Sequence, residues 1–189
     1  MTKKEQIEQT SRELFLKHGF KKVSIDEVCK NAGVSRKTFY TYFQNKNDLV
    51  LSMLTKLFDE AFSVYQGIID EEISFAEKIK ELFAYKFKMV ETSLTMEFVK
   101  DFYHPDSVEI LDLLNKMTAR SMILMRDFFE NGKKSGEMNS ELNIDFVMYL
   151  MQKAMDMCGS KELQDLFPDA ESMTRQVANS LIYGIMPLR

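Results

Sequence analysis

The 189-residue chain is 45% hydrophobic and 29% charged with a net charge of −4, a balance that suits a soluble globular protein and excludes a disordered one. Two distant cysteines, Cys29 and Cys158, and two histidines, His18 and His104, exclude a disulfide framework and leave too few ligands for zinc, so neither metal nor cofactor is expected. No apolar run approaches the roughly 20 residues that span a bilayer, and the N-terminal MTKKEQIEQT has no apolar signal core, which points to a cytoplasmic protein without a membrane partner.

In the first segment Ile7, Leu14 and Phe15, with Ser11 and His18 on the same face, follow helical spacing. Gly19 supplies a left-handed position after the helix, and Phe20 the apolar residue that often follows. Ser24-Ile25-Asp26-Glu27 has the form of a capping box and opens a helix to about Ala32. Gly33 breaks that helix, Val34 turns inward, and Ser35 caps a short helix ending near Phe43 or Gln44. Asn45, with Asp48 three residues on, starts another. Its apolar stripe, Val50, Met53, Leu54, Leu57, Phe58, Ala61, Phe62 and Tyr65, extends to about Ile69, roughly 36 Å of helix at about 1.5 Å per residue. Further helices are predicted at about 74–92, 94–103, 106–132, 143–158 and 170–186, with KKSGEMNSELN the clearest loop. No strand is predicted. The fold class is all-α.

A helix, a Gly-containing turn and a short helix form the helix-turn-helix arrangement. Val28, Ala32, Val34 and Phe39 bury the angle between the two helices, with Cys29 as a small buried hydrophobe. Arg36, Lys37, Thr38, Tyr40, Thr41 and Tyr42 are left to hydrogen-bond outward. Arg36 and Lys37 open one helix and Lys46 the next, the end where a helix dipole opposes cations. A polyanion would supply the missing negative potential, as when a recognition helix enters the DNA major groove. The charge distribution agrees: residues 1–56 hold eleven Lys/Arg against six Asp/Glu, whereas residues 57–189 hold fourteen against twenty-three.

Residues 3–58, above all SIDEVCKNAGVSRKTFYTYFQNKNDL with LFLKHGFKKVSI before it, resemble the DNA-binding domain of the tetracycline-repressor (TetR) family of bacterial regulators. The rest of the chain matches only in helix order and length. The resemblance implies an N-terminal three-helix helix-turn-helix DNA-binding domain, residues 1–46, joined by a long helix to a helical effector-binding and dimerisation domain, residues 47–189. Carried over by motif position, it implies that Ser35, Arg36, Lys37, Thr38 and Thr41 meet bases or phosphates. Tyr40, Tyr42 and Lys46 would grip the backbone, Ser24 would add a phosphate contact, and Phe39 and Phe43 would be core. Lys37 departs from the pattern, standing where the family often has Gly.

In the acidic body, segment 143–158 is apolar on two stripes: Ile144, Val147, Met148, Met151 and Met155 on one, Phe146, Leu150, Ala154 and Met157 on the other. Segment 170–186 presents Met173, Val177, Leu181 and Ile185 beside Ala178 and Ile182. A helix apolar all round is buried on two sides, and near the C-terminus the second side suits a partner subunit. Fourteen methionines and fifteen phenylalanines suit a pocket for a flat or flexible apolar molecule. Candidate ligand contacts are Tyr85, Met89, Phe98, Phe102, Met117, Met125, Met151 and Met155.

The expected protein is a homodimeric, ligand-responsive regulator, dimerised through helices near 143–158 and 170–186. It is expected to repress from a palindromic double-stranded DNA operator and to be released by a small, largely apolar effector. The alternatives are a nonspecific or architectural DNA-binding protein, or a helical protein-interaction module with no effector. Catalysis is not expected, because no nucleophile, base and orienter can be matched among the residues present.

Overall fold

A computed structural model describes residues 1–93, 98, 101, 105–158 and 160–186, and their side chains except those of 87, 89–93, 155, 170 and 171. Among these residues the chain is all-helical. In order the helices are α1 (Lys3–His18), α2 (Ile25–Ala32), α3 (Arg36–Tyr42), α4 (Lys46–Asp70), α5 (Phe75–Ser93), α6 (Val108–Ser135), α7 (Ile144–Cys158), α8 (Lys161–Gln164) and α9 (Ala170–Ile185). The predicted helix at 94–103 falls largely outside the described residues. None of the described helices is long and apolar enough to cross a membrane.

Side-chain caps set most helix starts in the N-terminal part. Thr2 and Glu5 form a full capping box on α1, a signal the sequence reading passed over. Ser24 accepts from the Glu27 N–H at 3.1 Å, so only the serine half of its predicted box forms. Ser35 caps α3 and Asn45 caps α4, accepting from Thr38 N–H at 3.1 Å and Asp48 N–H at 2.9 Å. Gly33 ends α2 with φ 63° and ψ 37°, the left-handed conformation that a Cβ disfavours. Gly19 also has positive φ, 79°, but its ψ of 150° is extended rather than left-handed helical, so the chain leaves α1 on a straighter path than predicted. His18 is exposed and does not share the buried face of Ile7, Ser11 and Phe15. Helix α3 stops at Tyr42; Phe43 is extended and buried, which pulls the chain inward before α4.

By packing, the chain divides into two compact units, each discontinuous in sequence: residues 1–62 with 89–118, and residues 63–88 with 119–189. In the first, α1 packs on α2 and α3 around Ile7, Phe15, Phe20, Val28, Phe39, Leu49 and Leu54. Phe98, Ile110 and Leu114 complete that core, with the Phe98 ring edge-on to Phe20 at 5.9 Å. Polar contacts join the same segments. Asp101 accepts from the Lys21 N–H at 2.8 Å, and Asp106 pairs with the Lys21 ammonium at 2.7 Å.

Aromatic rings carry the second unit. Phe75 stacks on Phe128 with centroids 4.6 Å apart and stands edge-on to Phe129. Gly132 allows that stack: a Cβ there would lie 2.4 Å from Phe75 Cε2. Helix α6 runs three residues beyond the predicted end at 132. Gly136, at φ 78°, stops it, and the Lys133 ammonium donates to the Leu142 carbonyl at 2.7 Å. Helices α7 and α9 pack together, with α8, a single turn capped by Ser160, against both.

Candidate nucleic-acid interface

The interface is built on a buried ring. Phe39 is fully buried on the inner side of α3, against Tyr40 at 5.3 Å and Phe43 at 5.6 Å between centroids. That contact fixes which residues of a seven-residue helix face outward. Arg36, Lys37, Tyr40, Thr41 and Tyr42 are exposed, and Ser24 and Ser35 lie exposed at the caps of α2 and α3. Burial pushes the Cys29 thiol up from its ordinary value, as suits a packing residue rather than a reactive one.

Hydrogen bonds then sort the outward groups. Thr38, half-buried, has its hydroxyl 2.9 Å from that of Ser35, and the Thr41 hydroxyl donates to the Lys37 carbonyl at 3.0 Å. Both threonines are thereby aimed, each keeping a methyl and spare hydroxyl capacity. The three helix-start cations differ sharply. Arg36 Nε lies 3.1 Å from Asp26 Oδ1. The Lys46 ammonium, part-buried, donates to the carbonyls of Lys21 at 2.9 Å and Val23 at 3.3 Å, so it ties the turn before α2 to the start of α4. The Lys37 ammonium has no partner among the described residues. Sequence spacing could not show these differences, because Asp26, Lys21 and Val23 are distant along the chain from the cations they meet. Asp26 was legible only as part of a cap.

The ligand candidates are not gathered in one unit. Phe98 is a core residue of the first unit, which also includes Met117. Tyr85, Met125 and Met151 belong to the second, where the two methionines pack against the aromatic core. Phe102 and the side chains of Met89 and Met155 lie outside the described residues. In the second unit Tyr85 stands edge-on to Tyr65 at 5.4 Å, and burial is the main cause that pushes the Tyr65 phenol up to about 12. A groove of about 320 Å³ between α1 and α4 is lined mainly by charged residues, with Arg12 and Lys56 paired with Glu60 and Glu8. Among the described residues no three His, Cys, Asp or Glu side chains are grouped to hold a metal.

Residues 7–53 match the model of the bacterial regulatory proteins of the tetR family. Over that segment the chain is similar to the DNA-binding domain of the TetR family. It is 22% identical over 179 residues to the HTH-type transcriptional regulator YdgC of Bacillus subtilis, covering 92% of this chain and 87% of that one. Two solved structures share the fold of this chain across nearly its full length. The regulator FadR of Bacillus subtilis, in complex with stearoyl-CoA, superimposes with a TM-score of 0.75 at 19% identity, covering 96% of this chain and 99% of that one. A transcriptional regulator from Saccharomonospora viridis, in complex with choline, gives 0.79 at 18% identity, covering 97% of each. These relatives are named as transcriptional regulators, and the helix-turn-helix described above is the part that the family model matches.

Proposed function

We propose that the chain is a homodimeric repressor, acting in the cytoplasm, that binds a palindromic operator and is released by a small, largely apolar effector. Residues 1–46 contact DNA; residues 47–189 bind effector and dimerise. The observation that carries the reading is α3 itself. Its exposed face is Arg36, Lys37, Tyr40, Thr41 and Tyr42, its first turn holds no acidic residue, and Phe39 fixes its rotation. A free ammonium at Lys37 beside hydroxyls held by local bonds suits base edges flanked by phosphates. Lys37→Ala and Thr38→Ala should change base preference, whereas Tyr42→Phe should weaken binding across all sequences.

Dimerisation is supported by the two stripes of α7. Ile144, Val147 and Met148 are buried, whereas Phe146, Tyr149 and Met157 are each more than half exposed at 52%, 59% and 52%. On α9 the predicted apolar residues are buried or half-buried instead, and Tyr183, 84% exposed, marks its outer face. A C2 dimer would present two recognition helices to two half-sites. The effector remains a class rather than a compound, since chains of this fold hold ligands as unlike as stearoyl-CoA and choline. The long helix α4 would couple effector to DNA, and an effector shifts operator affinity only by its differential affinity for the two arrangements.

Selection from a random DNA library at near-physiological salt tests the reading. Enrichment of a palindrome supports a sequence-specific dimer and supplies the probe for effector screening. Salt-sensitive binding without enrichment would make the chain a nonspecific DNA-binding protein.

A further inference from the structure

Arg36 does not project freely from α3. Its Nε is 3.1 Å from Asp26 Oδ1, and the two side chains are 62% and 66% exposed, so both can be reached from outside the protein. The pair joins the first turns of two helices. A carboxylate is favoured in a first turn and a cation is opposed there, so Asp26 settles electrostatically where it stands and relieves Arg36. An exposed ion pair contributes little to folding stability. Its effect here is on direction.

A guanidinium carries five N–H donors in a rigid planar fork. Asp26 lies on the Nε side of that fork. The end formed by Nη1 and Nη2 has no partner among the described residues, and two parallel donors at that end match the O6 and N7 acceptors of guanine in the major groove. A carboxylate among DNA-facing groups is repelled by phosphates. Its presence is compatible with tight binding only where it leans on a cation that itself meets the DNA. The same carboxylate competes with any phosphate for Arg36, which weakens contacts that carry no sequence information.

We propose that Asp26 is a positioning residue: it buttresses Arg36 so that the open end of the guanidinium reads one guanine in each half-site. The proposal rests on the reading of the chain as a sequence-specific DNA binder.

Library selection with the full chain, with Asp26→Asn, with Arg36→Lys and with the double variant tests it, alongside thermal unfolding of each. Wild type is expected to enrich guanine at one position per half-site. Asp26→Asn and Arg36→Lys should each lower that preference about tenfold and leave the other positions unchanged, and the double variant should lose no more than either single one. Unchanged unfolding temperatures exclude a folding defect. Nonspecific affinity of Asp26→Asn should rise as the competing anion is removed. Tighter binding to every sequence with the guanine preference intact would make Asp26 a mere competing anion and overturn the proposal. A uniform loss in Arg36→Lys would make Arg36 a phosphate contact and overturn it too. If Asp26→Asn enriches the same site as strongly as wild type, this inference fails alone. If wild type enriches nothing, the proposed function fails with it.

Discussion

The two compact units use the same kinds of junction but differ in what they leave exposed. In the first, directional polar contacts recur at each junction: Thr2, Ser24, Ser35 and Asn45 cap helices, Lys46 grips two carbonyls, and Lys21 is held by Asp101 and Asp106. In the second, Ser74, Asn143, Ser160 and Asp169 likewise cap helices and Lys78 and Lys133 grip carbonyls, but ring stacks and methionines fill the core and large apolar side chains remain outside on α7 and α9. Directional bonds fix side-chain vectors, which a surface that reads DNA needs. Apolar contact is tolerant of small shifts, and leftover apolar surface invites a partner. The contrast is between a surface that must hold its aim and one that must adapt.

The contrast breaks first at the aromatic core. Phe129 is fully buried against Phe75 and Phe128, so Phe129→Ala should cost about 3–5 kcal/mol in denaturant unfolding. A loss under about 1 kcal/mol would mean the core of the second unit can collapse around the cavity. Next comes the exposed apolar face. Tyr149→Glu combined with Tyr183→Glu should leave a folded monomer by sedimentation, with operator affinity reduced by about a hundredfold as the two half-sites cease to be linked. A persistent dimer would place the interface elsewhere. In the first unit, Asn45→Ala should cost about 1 kcal/mol by loss of the α4 cap, with secondary structure otherwise intact. A further effect appears only in alkali. Tyr65 is held near 12 against an ordinary 10, so the unfolded chain ionises it first. Stability is unaffected by this group below pH 10 and falls as pH rises from 10 towards 12; Tyr65→Phe should flatten that decline.

Much of the first unit was legible because its signals are local. Ser24, Ser35, Asn45 and Gly33 each act within four residues of themselves, and the structure finds each at its predicted helix boundary. What the sequence could not show is which distant segment meets which face. Periodicity marks Phe98, Ile110 and Leu114 as apolar, but nothing in their spacing says that they complete the core around Phe20 and Phe39. The cations of the candidate interface teach the same lesson. Three residues that look equivalent at helix starts become an ion-paired arginine, a lysine with no partner among the described residues and a lysine bonded to carbonyls, and the partners found lie ten to twenty-five residues away. The single-turn α8 escaped because four residues are too few for a period to register.

The dependence of the Phe20 turn on Phe98, Asp101 and Asp106 bears on portability. A fragment ending at residue 46 would keep α3 but lose all of α4 beyond its first residue, the ring of Phe98 that closes its own core and the carboxylates that hold Lys21. Transplanting this head onto another scaffold, in the laboratory or by gene fusion, therefore requires carrying the later segment along or redesigning the surface it covered. The helix-turn-helix of this chain is contiguous in sequence, but the smallest piece of chain that could be inherited as a folded part is not.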